Sequence, residues 1–356
     1  MSFERPNIAR MQGYTPGEQL DGDNIIKLNT NENPYPPAPE VAEAIADVQI
    51  ESLRRYPPPT AQLFCEAAAA LHEIDAKNII TTNGSDEFLR LVFTTFIDPG
   101  EKVITTKPSY SLYPVLADIQ NCELLEIPLE DNWEMPADFI DQLNASGAKL
   151  CILVNPHAPT GKLLSADYIA QIADSFSGIV LVDEAYVDFI DPALAYNSVP
   201  MALARSNVLI LRTLSKGYSL AGLRFGYGIG ASNLINPMQF KTRDSYNTDL
   251  IAQQLATAAI TAAPYAEESW NKVRASRKAL TEQLTELGFN IVPSEANFLL
   301  CQVPQSQQAP ALYQQLKDRN ILVRYFDQDR LRDCLRITVG TEQENQALLT
   351  ALKSLL

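Results

Sequence analysis

From about residue 60 to about residue 255 the chain alternates short, nearly unbroken apolar runs with longer helical stretches. The runs are Asn78 to Thr82, Lys102 to Thr106, Lys149 to Val154, Ile179 to Val182 and Val208 to Leu211. CILV, IVLV and VLIL are rich in β-branched residues and show no polar alternation, which predicts strands buried on both faces. Such strands need helices on each side. The pattern therefore predicts an α/β fold with a mostly parallel central sheet flanked by helices.

After Pro264 the pattern changes. A long helix, AEESWNKVRASRKALTEQLTELG, places Trp270, Val273, Leu280, Leu284 and Leu287 on one face, and Gly288 suits its C-terminal stop. NFLLCQV, a helix around ALYQQLKDR, ILVRYF and CLRITVG follow, then a terminal helix opened by Thr341 and Glu344 at capping-box spacing. This predicts a smaller α/β domain. Before residue 60, NENPYPPAP and RRYPPP flank a helical stretch near Val41 to Gln49, and such proline clusters favour extended arms over other surfaces. The expected division is an arm over residues 1–30 associated with the small domain, a large domain over 31–263 and the small domain over 264–356.

At 356 residues the chain exceeds one ordinary core, since about 150 residues per domain is typical. Its 46% hydrophobic and 20% charged residues are those of a globular protein. Lys and Arg number 28 against 43 Asp and Glu, a net charge of −15 without any basic run. Nucleic acid and membranes are therefore not expected partners, although arginines gathered in a cleft can still hold small anions. Five scattered cysteines, Cys65, Cys122, Cys151, Cys301 and Cys334, contain no CxxC pair and read as reduced core residues. The N-terminus has no apolar signal region, so cytoplasmic localisation is expected. His72 and His157 are the only histidines, so no metal site is expected.

In open parallel sheets, ligands bind beyond the carboxyl ends of the strands. The runs end in Asn83-Gly84-Ser85-Asp86, Asn155-Pro156-His157, Asp183-Glu184-Ala185-Tyr186 and Arg212-Thr213-Leu214-Ser215-Lys216. Together these supply amide, carboxylate, phenol, hydroxyl and amine groups for a polar, partly anionic ring. Gly84-Ser85 opens a helix and offers free N–H groups to a phosphate, although an ordinary serine cap explains it as well. Arg224 can add positive charge there. Lys216, if desolvated at a buried strand end, can be a neutral, nucleophilic amine, with an ordinary surface lysine after a strand as the alternative. Asp183 needs a partner once desolvated, and a protonated pyridine nitrogen is a natural one.

TLSKGYSLAGLRFGY, VDEAYVDF, the APTG of NPHAPTG, NGSDE, LNTNENPYPP and LRITVGT occur in register over nearly the whole chain. The sequence thereby resembles the fold-type I pyridoxal-phosphate aminotransferases, and within them the histidinol-phosphate aminotransferase family. The resemblance implies pyridoxal 5'-phosphate carried covalently by Lys216, with Asp183 at its ring nitrogen, Tyr186 at its phenolic oxygen and Tyr110 stacked on the ring. Its phosphate would be held by Ser85, Asp86, Ser215 and Arg224, with Tyr56 reaching in from a second subunit of a homodimer. Arg336 resembles the clamp for the α-carboxylate of glutamate. Arg324 and Tyr14 resemble the distal group that receives the substrate phosphate or the glutamate side chain, and Asn247 resembles a substrate contact.

Two departures stand out. Ala158 replaces the asparagine that usually precedes PTG; losing one neutral hydrogen bond costs about 1 kcal/mol against roughly 1.5–3 for each charged one, so cofactor binding should survive. Asn155 or His157 can compensate, with a plain loop histidine as the alternative reading of His157. Asp249 stands near a position that is often asparagine; at the mouth it would oppose a phosphorylated substrate, whereas as cap of LIAQQLATAAI it would face away. The implied reaction exchanges an amino group between glutamate and a phosphorylated imidazolyl ketone. An aromatic amino-acid aminotransferase and a threonine-phosphate decarboxylase are rivals on the same scaffold, and a ligand-binding regulator is the non-enzymatic alternative.

Overall fold

The large sheet is built from strands whose alternate residues enter two different cores. In the computed structural model, which describes residues 3–15, 17–20, 22 and 24–356, a short strand β1 (Ile26–Lys27) comes first. Seven strands follow: β2 (Ile79–Thr82), β3 (Lys102–Lys107), β4 (Glu123–Pro128), β5 (Leu150–Val154), β6 (Ile179–Asp183), β7 (Val208–Thr213) and β8 (Gly226–Gly230). Their order is β2-β8-β7-β6-β5-β3-β4. β8 runs antiparallel to both neighbours and every other pairing is parallel. Leu150, Ile152 and Val154 pack with Phe88, Leu89 and Val92 on one face. Cys151 and Leu153 pack with Phe64, Ile169 and Ile172 on the other. The period-two alternation of a strand thus accounts for a run that is apolar throughout.

Two of these strands lack an apolar run in the sequence. β4 is an edge strand in which exposed Glu123 and Glu126, one on each face, interrupt the apolar residues Leu124, Leu125 and Ile127. β8 reads GYGIG because the helix Gly84–Phe96 presses on it: a Cβ at Gly228 would lie 1.9 Å from the Phe88 ring. Glycine there is a packing requirement.

In the C-terminal part, β9 (Asn290–Ile291), β10 (Phe298–Gln302), β11 (Ile321–Leu322), β12 (Arg324–Tyr325) and β13 (Cys334–Thr338) follow the 24-residue helix Ala263–Glu286. β12-β13-β10-β9 form an antiparallel sheet. The stretch ILVRYF is thus divided between two strands, because β11 pairs instead with β1, in parallel. Thr341 and Glu344 form the expected capping box. The helix expected near Val41 to Gln49 spans Pro39–Ala46 and gives way to a 3-10 turn, Ile50–Arg54.

The N-terminal arm touches both halves. Asn7 Nδ2 donates to Asp118 O at 2.7 Å, on the helix Leu112–Gln120 beside the large sheet. Glu18 accepts from Tyr313 Oη at 2.9 Å and pairs with Lys317, in the C-terminal part. Among the described residues no helix is long and apolar enough to cross a membrane.

Candidate active site

The carboxyl ends of β5, β6 and β7 open into a cleft whose far wall comes from β12, β13 and residues 29–31. Into it project Asp183 from the end of β6, Lys216 just beyond β7, and Arg324 and Arg336 from the smaller sheet. Asp183 and Glu184 part company because successive strand residues face opposite ways. Glu184 turns away to accept from Arg212 Nε at 2.7 Å and from Tyr196 Oη at 2.7 Å.

Lys216 Nζ donates to Thr30 O at 2.8 Å. Burial, with the nearby Arg336, holds its amine down to a pKa of about 8, although Glu32 opposes the shift. Asp183 accepts from Tyr113 Oη at 2.8 Å and from Ala185 N at 3.2 Å. Burial outweighs these donors and raises its carboxyl to about 6. Tyr186 Oη accepts from Asn31 Nδ2 at 3.1 Å, and its ring stands edge-on to Phe298, 5.0 Å between centroids. Tyr110 is wedged between Tyr14 and Tyr113, both edge-on, at 5.9 and 5.6 Å.

At one end of the cleft Ser85 lies in the first turn of the helix Gly84–Phe96. Arg224 reaches over it, its Nη1 3.4 Å from Ser215 Oγ and 3.0 Å from Ala221 O. Asp86 stands 3.9 Å from Arg224 Nη2. A helix N-terminus with a guanidinium above it suits a phosphate. At the other end Arg336 Nη2 donates to Asn29 O at 3.0 Å, while its Nε is buried with no partner. Arg324 and Arg336 are register partners, directly opposite on β12 and β13.

Residues 23–352 match the aminotransferase class I and II family. The chain is 44% identical to histidinol-phosphate aminotransferase 1 of a Nostoc species over 100% of its own length and 98% of that protein. It is 42% identical to the histidinol-phosphate aminotransferase of Citrifermentans bemidjiense over 99% and 98% respectively. The chain is a class I and II aminotransferase. Its fold matches the crystal structure of the Sinorhizobium meliloti histidinol-phosphate aminotransferase in complex with pyridoxal 5'-phosphate, with a TM-score of 0.91, 24% identity, and 100% and 99% coverage.

Pyridoxal 5'-phosphate is the cofactor of this aminotransferase, and the cleft fits it. A buried carboxylate faces in without a cationic partner of its own, an amine of lowered basicity lies near it, and a helix N-terminus with its arginine closes one end.

Two expected site residues lie outside this cleft, Asn155 and Asn247, while Tyr56, expected at the site of a second subunit, lies on the surface. Tyr56 is exposed and stacks on Tyr246 with centroids 4.4 Å apart. Asn155 is turned into the protein, donating to Leu164 O and Tyr196 Oη and accepting from Leu164 N. Asn247 donates to Thr81 O at 2.9 Å and to Glu87 at 3.0 Å, and accepts from Arg243. His157 bonds Thr160 Oγ1 and Pro108 O away from the cleft, and burial pushes its pKa down to about 4. Neither Asn155 nor His157 therefore compensates for Ala158, which lines the cleft with a methyl group. Asp249 Oδ1 accepts from Ala252 N at 2.8 Å and caps the helix Leu250–Thr261, so the capping expectation holds and the repulsive one does not. The sequence reading missed Tyr113, Thr30 and Asn31. The signals available were the position of Tyr113, three residues after Tyr110 in KPSYSLYP, and the motif LNTNENPYPP, which contains Thr30 and Asn31.

Proposed function

We propose that this aminotransferase interconverts L-histidinol phosphate plus 2-oxoglutarate and 3-(imidazol-4-yl)-2-oxopropyl phosphate plus L-glutamate. Its relatives from Nostoc and Citrifermentans carry the name of this activity. The observation that carries the reading is the pairing of Arg324 with Arg336. Like charges directly opposite in a sheet destabilise it, and Arg336 Nε is buried without a partner. Anionic substrates relieve both penalties.

Arg336 takes the α-carboxylate of glutamate. Arg324, with Tyr14, takes the distal anion, which is a carboxylate in glutamate and a phosphate in histidinol phosphate. When bound, pyridoxal phosphate supplies an electron sink that acidifies the C–H next to the substrate nitrogen. Lys216 removes and returns the proton at that carbon, a task suited to an amine with a pKa of about 8. Asp183 holds the ring nitrogen, Tyr186 bonds the ring oxygen and Tyr110 covers the ring face. Ser85, Asp86 backbone, Ser215 and Arg224 hold the phosphate. Asn155 and Asn247 drop out of this set, because their amides are engaged within the fold.

The working form is a homodimer in the cytoplasm, with Tyr56 serving the neighbouring site. The exposure of Ile50, Leu53 and Tyr56 on one short segment supports the dimer. The division into residues 31–263 and 264–356, with much of 1–30 joined to the latter, is supported by the pairing of β1 with β11.

A substrate panel with 2-oxoglutarate as acceptor tests the reaction. Histidinol phosphate should exceed phenylalanine in kcat/KM by roughly 100-fold or more. Preference for phenylalanine assigns an aromatic aminotransferase instead, and carbon dioxide release from threonine phosphate assigns a decarboxylase.

A further inference from the structure

Tyr113 stands behind the cleft and touches two of its working side chains. It lies in the first turn of the helix Leu112–Gln120 and is fully buried. Its Oη donates to Asp183 Oδ2 at 2.8 Å, and its ring meets the Tyr110 ring at 89°. We propose that Tyr113 is a positioning residue whose hydroxyl keeps the Asp183 carboxylate ionised, so that the proton shared with a pyridine nitrogen stays on the nitrogen. The inference rests on the reading that Asp183 meets that nitrogen.

The need for such a donor follows from the surroundings. In a dry pocket a carboxylate and a pyridinium compete with their neutral forms, in which the same proton sits on the carboxyl. The charges acting on Asp183 are the carboxylates Asp86 and Glu184, which both favour the neutral acid. The nearby cations are engaged elsewhere: Arg212 pairs with Glu184, Arg224 lies over Ser215 beside Asp86, Lys216 donates to Thr30 O and Arg336 to Asn29 O. The phenols Tyr110 and Tyr186 surround the same space, and burial holds both protonated. What favours the ionised form is hydrogen bonding from Ala185 N and Tyr113 Oη. The proton only changes its position between oxygen and nitrogen; nothing else is gained or lost.

Tyr113→Phe removes the hydroxyl and keeps the ring contact, whereas Tyr113→Leu removes both. The carboxyl of Asp183 is followed by carbon-13 NMR in the cofactor-free protein, assigned with Asp183→Asn. The ring nitrogen is followed by nitrogen-15 NMR in the loaded enzyme. The wild type should titrate near pH 6, and Tyr113→Phe about one to two pH units higher. In Tyr113→Phe the nitrogen signal should move towards neutral pyridine, with kcat reduced about tenfold and KM for glutamate changed less than about twofold. Tyr113→Leu should show the same nitrogen shift together with weaker cofactor binding. If Asp183 and the nitrogen are unmoved in Tyr113→Phe, the proposal is overturned even where activity falls. If instead the wild-type nitrogen is neutral, or Asp183→Asn leaves it unchanged, the assignment of Asp183 fails and takes the proposal with it.

Discussion

Gly84 and Arg224 compete for one volume: a methyl group on Gly84 would lie 2.6 Å from Arg224 Nη2. Both residues have left-handed backbones, with φ of 74° and 58°. The close approach lets the guanidinium lie over the helix N-terminus. Gly84→Ala should therefore fold but displace Arg224, weakening pyridoxal phosphate by about 10- to 100-fold, the scale of one charged hydrogen bond. Titration of the cofactor-free protein measures it. Wild-type affinity would show that Arg224 can move aside freely.

In the cofactor-free protein Lys216 should be the most readily acylated lysine at mild pH. Its pKa is held down to about 8, so the reactive neutral amine grows between pH 7 and 9. The sign for stability is the same as for any group with a lowered folded pKa: the penalty is absent above the unfolded value of 10.5, accumulates as pH falls from there, and is complete below about 8. Lys216→Met should accordingly gain stability relative to wild type as pH drops from 10 to 7. Mass spectrometry of labelled peptides and thermal melts across that range check both halves, and a labelling midpoint above pH 10 would contradict the cleft electrostatics.

Arg324→Ala should raise KM for both glutamate and histidinol phosphate by about 10- to 100-fold, since one guanidinium meets the distal anion of each. Arg336→Ala should affect glutamate more strongly than histidinol phosphate, which has no carboxylate. Separate half-reactions for the two substrates provide the comparison. A phenylalanine reaction indifferent to Arg324→Ala, and faster than that of histidinol phosphate, would transfer the assignment to an aromatic aminotransferase.

Mixing Tyr56→Phe with Lys216→Ala subunits should restore activity above either parent. If Tyr56 serves the neighbouring site of a dimer, one site of the mixed dimer collects both defects and the other is wild type at both positions. Subunit exchange is confirmed by mass, and activity is assayed before and after. Confirmed exchange without recovery would place Tyr56 outside the neighbour's site.

Asp249→Asn should leave KM for histidinol phosphate unchanged, because the carboxylate is occupied with Ala252 N and asparagine caps equally well. Asp249→Ala should cost about 0.5–2 kcal/mol of stability, read by denaturant unfolding. Tighter binding of phosphorylated substrates by Asp249→Asn would return the carboxylate to the mouth of the cleft.

Much of the large sheet is legible in the sequence because β5, β6 and β7 are buried on both faces and each is one unbroken apolar run. β8 is hidden because its alternate residues are glycines: Gly228 admits Phe88, from a helix about 140 residues earlier, Gly226 admits the backbone of Gly84 and Ser85, and Gly230 sits against Leu209. The strand-end rule located Asp183 and Lys216, since their chemistry follows directly upon their strands. The same rule misplaced Asn155, whose side chain ties its own loop to Tyr196. Tyr113 reads as an ordinary core aromatic, and its hydroxyl acquires meaning only when folding brings Asp183, 70 residues away, to meet it.

The parallel pairing of Ile26 with Ile321 also governs when the cleft can exist during synthesis. Residues 29–31 are fixed by Arg336, Thr338 and Asn297, all emerging from the ribosome long after them. At about 5–20 residues per second, Ile26 waits roughly 15–60 s for its partner. Through that interval the nascent large sheet can already fold while the segment around the Thr30 carbonyl that receives Lys216 lacks its anchors to Asn297, Arg336 and Thr338 and keeps only contacts such as Asn31 with Tyr186. Completion of the cleft is therefore tied to near-completion of translation, and a polypeptide released before β13 would carry Lys216 without the wall that faces it.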